Sequence, residues 1–174
     1  MTEEAVNRIY QHFTTGFEEA LKNRKTGERR IGAELKFPFV KSNGEAVAAE
    51  TVDKLWDYLA DNGWREDIDA VTERPVGARK DGELNETVAS CETGFCKPEF
   101  SLAHAGNLFD LETSIKDLQV ELVPFMKAND CSMLAYGIQP VSEPSAALLI
   151  RKVRASFWDK AFPSNHIIPP EKSD

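Results

Sequence analysis

The chain opens with a pattern of polar and apolar residues that is typical of an amphipathic helix. From residue 3 to about residue 22 the apolar side chains recur every three or four positions, so they share one helical face. They are Val6, Ile9, Tyr10, Phe13, Phe17 and Leu21. The same periodicity predicts helices at about 48–62 and 107–129, and Gly63 is a suitable C-terminal cap for the first of these two. A last helix is predicted to start at Pro144-Ser145 and to run to about residue 162.

Between residues 31 and 39 the pattern changes to strict alternation, which predicts a strand with one apolar and one polar face. Glu34 and Lys36 occupy the polar face and therefore point the same way. Further strands are predicted at 68–71, 76–79, 86–91 and 131–138. Residues 80–82, Lys-Asp-Gly, are a hairpin turn signal between two of them.

The order of these elements predicts an α+β fold, because short turns between neighbouring strands favour antiparallel pairing. We expect an antiparallel sheet with helices on one face and a charged, open second face. A length of 174 residues is consistent with a single domain. Residues 1–29 would form an N-terminal helix and linker, and residues 163–174 carry no structure signal.

The composition limits the kinds of binding partner and the cellular compartment that we expect. The net charge of −8 argues against non-specific binding to nucleic acid. No apolar run approaches membrane-spanning length, so no membrane contact is expected. Three cysteines do not make a disulfide framework, and the simple interpretation is a reducing cytoplasm.

Candidate chemistry is concentrated in the acidic stretch 91–101, which contains Glu92 and Glu99. Their separation of seven would place them on opposite sides of one straight strand, so the chain must turn between them if they share a ligand. Thr93, Gly94 and Pro98 permit such a turn. Carboxylates brought together repel one another and a cation relieves this, so these two glutamates with Glu34 predict a Mg²⁺ site. The alternative is a set of exposed glutamates on an uncovered sheet face.

Two other groups carry weaker signals. Cys91, Cys96 and His104 loosely resemble zinc ligands but lack a paired CxxC motif, and small buried cysteines are the better interpretation. Arg151, Lys152 and Arg154 form a basic helix face, which is usually solvated unless it faces an acidic site.

Four stretches, in order, resemble motifs of the glutamate–cysteine ligase family, in its bacterial and plant-like branch. Residues 31–37 resemble the strand G-x-E-x-E-F, and residues 76–82 resemble the hairpin before the acidic strand. Residues 92–101 resemble the glutamate–glycine segment that ends in Glu-aromatic-Ser. Residues 136–140, Tyr-Gly-Ile-Gln-Pro, resemble the Gly-x-Gln/His-Pro strand end.

This resemblance implies a glutamine-synthetase-like fold, in which an antiparallel sheet forms a half-open funnel. It implies ATP-dependent ligation of glutamate, through an acyl phosphate, to cysteine, which is the first step of glutathione-type thiol synthesis. Mg²⁺ would be held by Glu34, Glu92 and Glu99. The resemblance places Arg154 near a catalytic basic residue, and Arg79 and Lys80 are candidates for binding ATP.

The chain departs from the family pattern in two respects. Lys36 stands where the family has a second glutamate. A lysine beside Glu34 can neutralise charge that a metal neutralises in relatives, or can reach a phosphate oxygen and so act in catalysis. Family members also continue beyond the position matching Asp174, so we expect an N-terminal portion of a ligase that is inactive alone.

Three function classes therefore remain open at this point. The first is an ATP-dependent glutamate–cysteine ligase, or a ligase for another amine. The second is a ligase-like module that binds glutamate or a nucleotide without turnover. The third is a structural or interaction domain whose acidic face has no chemical role.

Overall fold

The computed structural model describes residues 2–26, 29–83, 85–92, 94–143 and 148. Within these residues the chain forms three helices and seven strands. The helices are α1 (Glu3–Thr26), α2 (Ala49–Asp61) and α3 (Leu108–Ala128). The strands are β1 (Glu34–Lys36), β2 (Phe39–Lys41), β3 (Arg65–Ile68), β4 (Pro75–Lys80), β5 (Thr87–Cys91), β6 (Pro98–Ser101) and β7 (Cys131–Met133).

Five strands form one antiparallel sheet in the order β1-β6-β5-β4-β3. Strands β3 to β6 follow one another as a meander, and β1 joins its edge by pairing with β6. Strands β2 and β7 form a separate two-stranded sheet. The α+β class and the antiparallel pairing predicted from the sequence are confirmed.

One face of the five-stranded sheet forms the hydrophobic core. Leu35, Phe100, Ala89 and Ala78 lie side by side across four strands, and the last three are fully buried. Apolar residues of α2 and α3 belong to the same core cluster, among them Leu55, Leu59, Leu118, Leu122 and Phe125. Helices α2 and α3 therefore cover this face, as predicted, and neither of them covers the opposite face, which we call the open face of the described part of the chain.

The alternation predicts the exposed and core faces of residues 34–36 correctly, but it is wrong for Pro38, which is buried, and wrong in predicting one continuous strand from 31 to 39. The segment divides into β1 and β2, which belong to different sheets. Pro38 lies at the division and has no N–H to donate to a ladder. Its neighbours Phe37 and Phe39 donate their backbone N–H groups to the carbonyls of Pro98 and Cys96. The segment thus remains extended while it passes from one sheet to the other.

Two other strand predictions are wrong in their extent. The strand predicted at 68–71 ends at Ile68, because the carboxylate of Asp69 accepts the backbone N–H groups of Val71 and Thr72 and closes a turn. The strand predicted at 131–138 ends at Met133, since the next residue would pair opposite Pro38.

Helix α1 confirms the predicted amphipathic pattern, but its apolar stripe is exposed. Its members retain between 39% and 71% of their accessible surface: Val6, Ile9, Tyr10, Phe13, Phe17 and Leu21. In the described part of the chain, no helix combines the length and the apolar character needed to cross a bilayer. The helix predicted at 144–162 lies outside the described residues.

Candidate functional site on the open sheet face

The open face of the sheet carries a group of four charged side chains, which we call the lysine-centred cluster. The Nζ atom of Lys36 lies 2.5 Å from Oε1 of Glu92, 3.2 Å from Oε2 of Glu99 and 3.3 Å from Oε2 of Glu34. The three glutamates that the sequence predicted to share a ligand thus surround one ammonium group.

Strand register explains why these side chains meet. Lys36 on β1 pairs directly with Glu99 on β6, so their side chains stand on the same face. Glu34 is two residues before Lys36 and shares that face. Glu92 follows β5, and its N–H donates to the Lys97 carbonyl, so the chain reverses direction before β6 begins. This is the turn that the odd spacing of the two glutamates required.

Contacts within the cluster shift the pKa values of Lys36 and Glu92. Hydrogen bonds to Glu92 first, and then to Glu99, raise the pKa of Lys36 above its ordinary value. Hydrogen bonds with Glu99, and then with Lys36, lower the pKa of Glu92 to about 2. Three carboxylates and one ammonium leave the cluster with excess negative charge.

The cluster opens to solvent on the side of Glu34. The side chain of Glu34 is 61% exposed, whereas that of Glu99 is 18% exposed. Ser101 donates its hydroxyl to Oε1 of Glu99 at 3.0 Å and fixes this more buried carboxylate. A ligand entering from solvent would meet Glu34 first and Glu99 last.

A second charged group on the same face is centred on Arg79, one of the two residues predicted to bind ATP. Its Nε atom lies 2.8 and 2.9 Å from the two carboxylate oxygens of Asp67, and its Nη1 atom lies 3.3 Å from Glu86. Arg65 also pairs with Glu86. Pairing through β5 and β6 separates Arg79 from Glu34 by three strand spacings, about 14 Å.

Lys80, the other residue predicted to bind ATP, lies on the helix-covered face. Its Nζ atom is 3.0 Å from both carboxylate oxygens of Glu121 on α3 and 5.6 Å from the ring centroid of Trp64. The Trp64 indole donates to the same carboxylate at 2.8 Å. Arg79 and Lys80 therefore face opposite sides of the sheet and cannot reach one ligand in this arrangement.

The remaining candidates include the cysteines, His104 and Arg154. Cys91, Cys96 and Cys131 are buried, in keeping with their interpretation as small core residues, and His104 is exposed. Arg154, predicted to be catalytic, lies outside the described residues. Sequence reasoning did not single out Ser101, although its position two residues after Glu99 predicts that both share a face.

The metal site implied by the family resemblance does not fit the cluster in this arrangement. An ammonium group has no lone pair and cannot coordinate a metal, and Lys36 stands between all three carboxylates. Among the residues that the structure describes, no group of three or more histidine, cysteine, aspartate or glutamate side chains is arranged to hold a metal ion.

The lowered pKa of Glu92 predicts a specific pH dependence. In the folded protein, the Glu92 carboxyl should titrate with a midpoint near pH 2 instead of near 4.5. Since the pKa is lower in the folded state, Glu92 contributes stability above pH 4.5, and this contribution is lost as the pH falls towards 2. Carboxyl ¹³C NMR, with urea unfolding as a function of pH, measures both effects.

The Lys36→Met variant provides the control for this titration, because it removes one cause of the lowered pKa. The Glu92 midpoint should then rise. A midpoint near 4.5 in the unmodified protein would contradict the arrangement of the lysine-centred cluster.

Comparison of the chain with protein-family models, with curated proteins and with solved structures gave no match.

Proposed function

We propose that this protein is an ATP-dependent ligase that joins the γ-carboxylate of glutamate to the amino group of cysteine. The observation that supports the proposal is that Glu34, Glu92 and Glu99 converge on the open face of an antiparallel sheet. There they surround the ammonium group of Lys36. These are the glutamates that the resemblance to glutamate–cysteine ligases singles out. The glutamine-synthetase-like form of the fold is part of the same proposal.

The proposed reaction has two steps. The γ-carboxylate of glutamate attacks the γ-phosphorus of ATP, which gives an acyl phosphate and releases ADP. The cysteine nitrogen then attacks the acyl carbon, loses a proton and expels phosphate, which leaves γ-glutamylcysteine. Negative charge on phosphoryl oxygens must be balanced in both steps, and fixed cations on the protein can supply part of that balance.

Two of the cations on the open face are suited to this purpose. Lys36 can turn its ammonium group from the glutamates to a phosphoryl oxygen as a point charge. Arg79 presents a guanidinium held by Asp67 and Glu86 about three strands away, where it can meet another part of an extended substrate. ATP would enter as its magnesium complex. Arg154 remains a predicted catalytic residue, whereas Lys80 is paired with Glu121 on the opposite face and does not belong to the proposed site.

The test is an assay on the product of the complete open reading frame. ATP hydrolysis and γ-glutamylcysteine formation are measured with glutamate, with and without cysteine, and the peptide is identified by mass spectrometry. We expect product only when ATP, glutamate and cysteine are all present. ATP turnover that depends on a different amine would retain the ligase class but replace cysteine as the acceptor.

One observation favours a second candidate, a module that binds glutamate or a nucleotide without turnover. Lys36 engages all three carboxylates and so removes them from direct contact with a metal. If calorimetry detects binding of ATP or glutamate, and no phosphate is released whichever amine is added, the protein is a binding module and the ligase proposal is discarded.

A further inference from the structure

The lysine-centred cluster holds a cation, but that cation belongs to the chain itself. A protonated lysine has three N–H donors. Lys36 has three carboxylate partners within 3.3 Å, one each from Glu34, Glu92 and Glu99. The number of donors therefore matches the number of carboxylates that surround it.

We propose that Lys36 is a built-in counter-ion that takes the place of a divalent metal, so that these three glutamates bind no Mg²⁺ or Mn²⁺ while Lys36 is present. The resemblance to the ligase family implies metal at the same carboxylates, and the structure disagrees with it here. Which cation the three glutamates hold does not depend on whether the protein is a ligase.

Competition between the two cations follows from their positions. A magnesium ion bonds carboxylate oxygens at about 2.0–2.1 Å. An ion placed among these carboxylates would lie within a few ångströms of the Lys36 ammonium, which repels it and cannot act as its ligand. The metal can enter only after Lys36 leaves, at the cost of three ion pairs.

Attachment to the chain gives Lys36 an advantage over a dissolved ion. The side chain leaves β1 opposite Glu99, so its ammonium group is delivered to the cluster at a high effective concentration. Partial burial of its two nearest partners, whose side chains are 18% and 29% exposed, strengthens this attraction relative to a fully exposed ion pair. The cluster is therefore already neutralised in part before any metal arrives.

The experiment compares Mn²⁺ binding to the unmodified protein and to the Lys36→Met variant, by calorimetry and by electron paramagnetic resonance. Methionine keeps an unbranched side chain but removes the charge. We expect no saturable binding to the unmodified protein at low millimolar Mn²⁺. The variant should bind one ion with a Kd of about 0.1–1 mM, the range of weak oxygen-ligand sites.

Two further variants test whether the change in Mn²⁺ binding is specific to Lys36 and to the carboxylates around it. Lys41→Met removes an exposed lysine that pairs only with Glu45 among the ion pairs described, and it should behave like the unmodified protein. The double variant Lys36→Met with Glu92→Gln removes a carboxylate from the opened site, and its Mn²⁺ binding should weaken at least about tenfold.

Equal Mn²⁺ affinity of the unmodified protein and Lys36→Met overturns the proposal, and so does the absence of binding to a folded Lys36→Met variant. If Lys36→Met does not fold, Lys36→Gln replaces it. NMR of the unmodified protein gives an independent test, since broadening of the Lys36 and Glu99 signals by low millimolar Mn²⁺ would also overturn the proposal.

Discussion

Gly77→Ala should lower the free energy of unfolding by about 3 kcal/mol, at the upper end of the range for overpacking. Gly77 lies in β4 and pairs with Ser90 of β5. A Cβ atom at this position would lie 2.4 Å from the backbone carbonyl oxygen of Ala89. Since that oxygen is part of the backbone, relief requires the two central strands to move apart. Urea unfolding and the thermal midpoint measure the loss.

Gly16→Ala is the matched control, because a Cβ atom at Gly16 would meet no atom within 4 Å. This glycine lies inside α1, where alanine is favoured over glycine by about 1 kcal/mol. The same substitution should therefore destabilise the sheet at one position and stabilise a helix at the other. An unchanged unfolding midpoint for Gly77→Ala would show that β4 and β5 are not packed as closely as described.

Lys36→Glu should lower kcat/KM of the proposed ligase by about 10–100-fold, the usual cost of losing a charge-assisted contact made in the transition state. The substitution also places a fourth carboxylate beside Glu34, Glu92 and Glu99 and removes the ammonium that neutralises them. Raising the Mg²⁺ concentration should restore part of the rate, since a metal can then enter.

The direction of this change separates the two candidate functions. If Lys36 only blocks a degenerate ligase, Lys36→Glu should raise a negligible rate instead of lowering a measurable one. Glu45→Gln, in an exposed pair with Lys41, is the control and should leave the rate unchanged. No cysteine-dependent product from either the unmodified protein or Lys36→Glu would exclude the ligase.

Alternation was sufficient to predict that Glu34 and Lys36 share the open face. Glu34 and Lys36 lie two residues apart on one strand, so their common direction needs no tertiary information. The turn between Glu92 and Glu99 also followed from their odd spacing. What the pattern did not predict is that Lys36 would contact all three glutamates, because this depends on the register Lys36–Glu99 between distant strands.

The partners of Arg79 and Lys80 were missed for a related reason. The strand predicted at 68–71 begins three residues earlier, and only the observed strand places Asp67 beside Arg79. Neighbouring residues of one strand point to opposite faces, so Arg79 and Lys80 could not have shared a ligand once β4 was assigned through residue 80.

The small sheet of β2 and β7 has a consequence for the order in which the chain folds. It pairs Phe39 with Met133 and Lys41 with Cys131, residues that are far apart in sequence. Strands β3 to β6 are neighbours and can pair as soon as they leave the ribosome, whereas β2 must wait until α3 and β7 have been synthesised. Closing so long a loop is entropically costly and slow, so the two-stranded sheet should form last. Until then Phe39, which is fully buried in the finished protein, lacks the cover of Phe125 on α3 and of β7 and is more accessible to chaperones and proteases.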